Sequence, residues 1–263
     1  MTDVQKIDLV SAALLGVEHP HSLAHLRTLQ QLPEVARIYL WDESAEALAR
    51  VSKELPDKVA GTFTNLDELL AQQDIYFVIA SVRNEIGKEV FTRCLQAGKH
   101  VMAEKPVGRN AVETMAVLEA SKKAHRNLGV CYQNRYNAVI QEAKRIVAAG
   151  ALGPLMTVEM RMITTAVRFR KPETWMFNKG QAGGGMLTWL GCHYIDLIRY
   201  MTGDEIVAVQ AEVATRSGEK IDVEDVAVLS MRMKSGAVAS LHVGYMLALS
   251  GAGYHNPSGY DTY

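Results

Sequence analysis

Four side chains with metal-ligand or acid–base chemistry crowd one short segment, LLGVEHPHSLAHL (14–26): Glu18, His19, His21 and His25. His21 and His25 stand four apart, the helical spacing that can bring two imidazoles to one metal ion. Pro20 makes the start of the segment turn-like and leaves His19 badly placed to join them. No further ligand set accompanies the pair along the chain. Helix capping or local hydrogen bonding is therefore the expected fate of these histidines, and no metal is expected. Lys105, in the run EKP (104–106), offers different chemistry. It follows a β-rich run, where a lysine points towards a ligand crevice and serves as hydrogen-bond donor or proton relay. Pro106 fixes the turn, with a cis bond as one option. Alone, the tripeptide reads equally well as a loop with a solvated lysine. A third group lies in GGGMLTWLGCHYIDLIRYMTG (183–203), where three- and four-residue spacing sets Trp189, His193, Asp196 and Tyr200 on one helical face. Leu190, Tyr194, Leu197 and Met201 form the neighbouring stripe, a core face. The glycine triplet lets backbone approach a ligand or another segment closely.

Elements able to hold these groups are legible in the same pattern. The β-rich runs IDLVSAALL, ARIYLWD, VAGTF, IYFVIAS, KHVMAE and LGVCYQ alternate with helix-period stretches over 22–32, 44–55, 66–72, 84–97 and 110–125. Such alternation predicts a doubly wound parallel sheet with helices on both faces, a Rossmann-type α/β domain over 1–133. Ligands in such sheets bind at the strands' C-terminal ends. Gly16 ends the first strand there, and Asp42 ends the second, 26 residues on. An acidic residue at that position accepts hydrogen bonds from an adenosine ribose and repels a 2′-phosphate, favouring NAD over NADP. A turn residue beside a helix cap is the plainer reading of Asp42. The later glycines of a Gly-x-Gly-x-x-Gly fingerprint fall on Glu18 and His21, so a pyrophosphate would rest on the helix N-terminus at Ser22 with those side chains shaping or crowding it.

Beyond residue 133 the grammar changes. A helix over 138–149 precedes the strand-like run PLMTVEMRMITTAV, the Trp189–His193 helix, and three β-rich runs with tight glycine turns (RSGEK, KSGA). This predicts an α+β substrate-binding and oligomerisation domain over 134–263 with an open, mostly antiparallel sheet. The turn-rich ending SGAGYHNPSGYDTY leaves that sheet without a closing element, as in a fragment or a sheet edge covered by another chain.

Bulk composition narrows the classes. The chain has 263 residues, 48% hydrophobic and 22% charged, with a formal net charge of -1, which argues against nucleic-acid or anionic-membrane partners. No apolar run reaches membrane-spanning length. The three cysteines, Cys94, Cys131 and Cys192, lack paired spacing, which speaks against disulfides and a cysteine-based zinc site and suits a reducing cytoplasm.

Taken in order, Glu104-Lys105-Pro106 after the fifth strand, Gly-Gly-Gly-x-Leu, and the Gly-x-His-x-x-Asp helix resemble the Gfo/Idh/MocA oxidoreductases, along nearly the whole chain. ASVRNEIGKEV and GALGPLMTVEMR strengthen the resemblance. It implies a Rossmann domain followed by an open-sheet domain whose face mediates homo-oligomerisation. It also implies hydride transfer between NAD(P) and a secondary hydroxyl carbon of a sugar, cyclitol or glycoside. Carried onto this chain, Lys105 is the catalytic lysine and His193 the catalytic histidine, with Glu104 and the backbone from Ser81 to Asn84 near the nicotinamide. Trp189 replaces the acidic residue often found four before that histidine. Trp175 and Trp189 are candidates to stack on a sugar ring. Arg135 and Asp196 are candidates for polar substrate contacts, while Arg161, Arg168 and Arg170 read mainly as surface ion pairs. Two other readings use the same scaffold: a glycoside-cleaving or isomerising enzyme that oxidises its substrate transiently on retained NAD, and a non-catalytic NAD- or sugar-binding sensor.

Overall fold

Residues 12–15 are apolar on both sides of the strand, and the reason is the sheet they enter. In the computed structural model, which describes residues 9–247, the chain divides between Cys131 and Tyr132 into two compact units. The first unit carries β1 (Val10–Leu15), α1 (Ser22–Gln31), β2 (Val35–Trp41), α2 (Ala45–Glu54), β3 (Val59–Phe63), α3 (Leu66–Leu70), β4 (Ile75–Ala80), α4 (Asn84–Gln96), β5 (His100–Ala103), α5 (Ala111–Ala124) and β6 (Leu128–Val130). The strands pair in parallel in the order β3-β2-β1-β4-β5-β6, the doubly wound order with its switch point between β1 and β4. Ala12 and Leu14 face one apolar layer, with Leu26 and Leu29 of α1 and Leu48 and Val51 of α2. Ala13 and Leu15 face the other, with Leu69 of α3, Phe91 and Leu95 of α4 and Val117 of α5. Burial on both faces is what turns a strand into an unbroken apolar run.

Local chemistry sets the helix starts. Ser44 accepts from the Ala47 N–H to cap α2, and Asn110 accepts from the Glu113 N–H to cap α5.

The second unit carries α6 (Ala138–Ala148), β7 (Thr157–Thr165), α7 (Lys179–Ala182), α8 (Cys192–Thr202), β8 (Ile206–Ala214), β9 (Val226–Met233) and β10 (Val238–Leu247). Its sheet runs β7-β10-β9-β8. β9 pairs antiparallel with β8 and β10, whereas β7 lies parallel to β10. Ala227, Leu229, Met231 and Met233 of β9 are buried, with Ala239, Leu241, Val243 and Tyr245 of β10, against Met186, Leu190 and Ile198. The opposite face exposes Val228 of β9 and Val238 of β10, while Val209 and Val213, paired with Met231 and Ala227, stay exposed on the edge strand β8. The turn-rich ending SGAGYHNPSGYDTY lies outside the described residues.

Candidate active site

Gly16 makes the turn out of β1. Its φ is +81°, and a Cβ there would overlap the Ser81 carbonyl oxygen and lie 2.8 Å from the carbonyl carbon. The loop can follow this path only because the residue is glycine. The Ser22 hydroxyl, fully buried, donates to the Gly16 carbonyl at 2.5 Å, and the Ser22 N–H donates to the His19 carbonyl. Ser22 therefore ties the loop from within rather than presenting its hydroxyl to a phosphate. His21 precedes α1 without a side-chain cap and the first turn holds no acidic residue, so the positive end of the helix dipole is left to a ligand. Asp42 is buried: Oδ2 accepts from the Val17 N–H at 2.7 Å and Oδ1 from the Ser44 N–H at 2.9 Å. It braces the β1 turn against the β2 end, and the next residue, Glu43, is the exposed carboxylate there, 3.2 Å from the Arg83 guanidinium.

Glu104 and Lys105 follow β5, 4% and 1% exposed, and the Lys105–Pro106 bond is cis. The loop beyond is pinned to α5. Glu113 accepts from the Arg109 N–H at 2.8 Å and from its guanidinium, and a Cβ on Gly108 would sit 2.7 Å from the Glu113 Cβ. Glu104 Oε1 meets His25 Nε2 at 2.7 Å and His21 Nδ1 at 3.0 Å, while Oε2 accepts from the Lys105 N–H at 3.1 Å. Burial alone would raise the Glu104 carboxyl, but hydrogen bonds from His21 and His25, with the charge of His21, reverse that and hold it well below the carboxylate range. Burial lowers His19 to about 3 against the pull of Glu104, so it is a neutral imidazole whose Nδ1 accepts from the His21 N–H. Cys131, just past β6, is a thiol: burial, helped by Glu104, pushes it up to about 12. Ser81 Oγ is buried without a hydrogen-bond partner among the described residues, and Asn84, also buried, opens α4.

In the second unit the glycine triplet lies against Glu224. A Cβ on Gly185 would overlap the Glu224 carbonyl oxygen, and the Glu224 carboxylate accepts from the Gly185 and Leu187 N–H groups at 2.8 and 2.9 Å. A π turn, Leu187–Gly191, leads into α8. It adds a residue to the helical register between the glycine triplet and α8. Trp189 meets Trp175 edge to face at 5.8 Å, and the His193 ring meets that of Tyr132 at 5.7 Å. His193 is 2% exposed. Burial pushes the Tyr132 hydroxyl up to about 12. Buried Asp196 is gripped by Arg135 in a two-point fork, Nε to Oδ2 at 2.7 Å and Nη2 to Oδ1, which raises the guanidinium further. Arg135 thus commits two of its donors to Asp196.

Comparison with known proteins decides the lineage. Residues 10–132 match the model of an oxidoreductase family with an NAD-binding Rossmann fold, and residues 140–253 match a GFO/IDH/MocA C-terminal domain. The chain belongs to the Gfo/Idh/MocA family. Among its relatives, levoglucosan dehydrogenase of Pseudarthrobacter phenanthrenivorans is 25% identical, matching 89% of this chain and 66% of that protein. The chain thus spans just under two thirds of that relative's length. Aldose-aldose oxidoreductase from Caulobacter crescentus, solved with glycerol, superposes with a TM-score of 0.82 at 28% identity, covering 90% of this chain and 71% of that one. The WlbA dehydrogenase from Bordetella pertussis, solved with NADH and UDP-GlcNAcA, gives 0.83 at 25% identity, with coverage of 91% and 73%.

As a Gfo/Idh/MocA Rossmann domain, the first unit fits NAD on its own geometry. The positive-φ turn at Gly16 and the α1 N-terminus without a side-chain cap form the setting a pyrophosphate requires. His21 does not crowd that N-terminus, because its ring turns to Glu104. Glu18 is exposed at the loop. Spacing in the sequence left His21 and His25 without further ligands, and the fold brings Glu104 to both and Cys131 to His25. Cys131 offers one signal only, its place directly after the sixth strand. Glu224 is a residue that the sequence does not flag, since a carboxylate 39 positions from Gly185 carries no local pattern.

Proposed function

We propose that this protein is an NAD-dependent oxidoreductase acting on a secondary hydroxyl carbon of a sugar, cyclitol or glycoside. The observation that carries this reading is Lys105, 1% exposed at the C-terminal end of β5 in an NAD-binding Rossmann domain. Oxidation of the alcohol removes a hydride from carbon and a proton from oxygen, leaving a carbonyl. Bound NAD supplies the hydride acceptor, held at the Gly16 turn and the first turn of α1. The Lys105 ammonium holds the substrate oxygen and stabilises its developing charge, and His193 takes the hydroxyl proton. The Arg135–Asp196 fork keeps α8, and His193 with it, in place. Trp175 and Trp189 offer an apolar platform to a sugar ring. Asp42 and Glu43 at the β2 end favour NAD over NADP, because a 2′-phosphate would meet their negative charge. The exposed valines of the edge strand β8 support assembly into a homo-oligomer. Relatives named for sugar substrates support the substrate class.

The test is a dehydrogenase screen over sugars, cyclitols and glycosides with NAD and NADP in parallel. On a verified substrate, Lys105→Met and His193→Ala lower kcat by about 10²–10⁴ each, and wild-type turnover in either overturns its role. Product formed from a glycoside without stoichiometric NADH would move the assignment to the cleaving reaction. Binding of neither NAD nor NADP would move it to a sensor.

A further inference from the structure

Hydride transfer has no use for His25 or Cys131, yet both converge on Glu104. His25 comes from the first turns of α1, Glu104 from the end of β5 and Cys131 from the end of β6. One donor atom from each lies within 4.8 Å of the others. We propose that His25, Glu104 and Cys131 bind one divalent transition-metal ion of the zinc class, with His21 as the fourth donor.

The donor set selects the ion. Imidazole nitrogen, carboxylate oxygen and thiolate sulfur suit Zn(II), Co(II) or Fe(II), whereas Mg(II) and Ca(II) demand a cage of oxygens that is absent among these residues. Charge is balanced, since a carboxylate and a thiolate neutralise the dication and the imidazoles bind as neutral ligands. Binding replaces the thiol proton of Cys131 with the metal and releases it to solvent. Geometry requires an adjustment. Metal–ligand bonds of about 2.0–2.3 Å set tetrahedral donors roughly 3.3–3.7 Å apart. The 2.7 Å contact of His25 with Glu104 must therefore open by somewhat under 1 Å, separations of up to 4.8 Å in the group must close by as much as about 1.5 Å, and His21, outside that group, must swing in from Glu104. Glu104 is already oriented for this, because the Lys105 N–H holds Oε2 and leaves Oε1 to the two imidazoles. The metal would join α1 to the ends of β5 and β6, and would account for a histidine, His21, where the dinucleotide fingerprint has its last glycine.

The test uses tag-free protein, stripped with chelator and titrated with Co(II) while its absorption is recorded. The expected result is uptake of one equivalent, with the strong visible bands of a tetrahedral site and a thiolate-to-cobalt charge-transfer band. Cys131→Ser abolishes the charge-transfer band, His25→Ala weakens binding at least about tenfold, and Cys192→Ser changes neither. Circular dichroism establishes that each variant is folded, and His25→Gln serves if His25→Ala is not. Absence of stoichiometric Co(II) and Zn(II) uptake by the folded protein would overturn the site and leave a hydrogen-bonded cluster. A charge-transfer band that survives Cys131→Ser would overturn it equally. The readout needs neither substrate nor NAD, so its outcome is separable from that of the dehydrogenase assignment.

Discussion

Gly16→Ala, paired with Gly98→Ala, isolates the contact that shapes the β1 turn. Both glycines lie in the first unit with nearly the same backbone, φ +81° and +78°. An alanine in this left-handed region costs about 1–2 kcal/mol, and that cost is common to both variants. They differ in space. At Gly98 the nearest atom to a new Cβ is the Arg126 guanidinium at 3.7 Å, the movable end of a side chain. At Gly16 the Cβ overlaps the Ser81 carbonyl oxygen, and the backbone on either side is locked by the Gly16 N–H to Trp41 and the Ser81 N–H to Leu15. The strand ends must part by roughly 1 Å or more, and forced expansion of a packed interior costs a further 1–3 kcal/mol. Gly16→Ala should thus lose about 2–5 kcal/mol and Gly98→Ala about 1–2 kcal/mol. Urea unfolding followed by far-ultraviolet circular dichroism measures both, and a dinucleotide titration of the folded fraction should show weaker NAD binding for Gly16→Ala alone. Equal destabilisation of the two variants would refute the reasoning, because it would mean that the Ser81 carbonyl does not constrain the turn.

Other outcomes follow from contacts elsewhere. Glu113 lies below its usual carboxylate range, chiefly through the Arg109 hydrogen bonds, so its stabilisation is present above the unfolded value and fades as pH falls through the folded one. Glu113→Gln should therefore cost about 1.5 kcal/mol at pH 7 and almost nothing in acid below about pH 3, and a constant difference across pH would contradict the ion pair. Glu224→Ala strips acceptors from the Gly185 and Leu187 N–H groups and should cost about 1–3 kcal/mol, with denaturation midpoints as the check; an unchanged midpoint would mean water serves those groups equally well. Val209→Glu on the edge strand β8 should shift the protein towards monomer in light scattering after size exclusion. An unchanged mass would remove that strand from any assembly.

Much of the first unit is readable from sequence because its signals are local. VAGTF is a strand over the same five residues in both readings, and Ser44 and Asn110 cap the helices they precede. Parallel strands buried on both faces announce themselves as apolar runs, and the order of those runs implies the winding. The candidate site is less legible because its partners are remote in sequence. His25 and Glu104 are 79 residues apart, and nothing near either one encodes the meeting. Asp42 was readable as an acid at the end of β2, but not as a brace for Val17, since that depends on how tightly the β1 turn folds back. The π turn before α8 escapes a periodicity argument altogether: a pattern with a fixed period cannot register one added residue.

The order β7-β10-β9-β8 also has a temporal meaning. β8, β9 and β10 follow one another in the chain, β9 and β10 through a short turn, and can zip up as they emerge. β7 is made earlier, yet its partner is the last strand of the four, with α7, α8 and two strands synthesised in between. During translation the nascent second unit must therefore hold β7 with an unsatisfied edge until Val238–Leu247 leaves the ribosome, a long-range pairing that is slow by its loop-closure entropy. A chain stalled before Val238 would present two separate sticky edges, those of β7 and β9, and would be a client for chaperones rather than a partly folded domain.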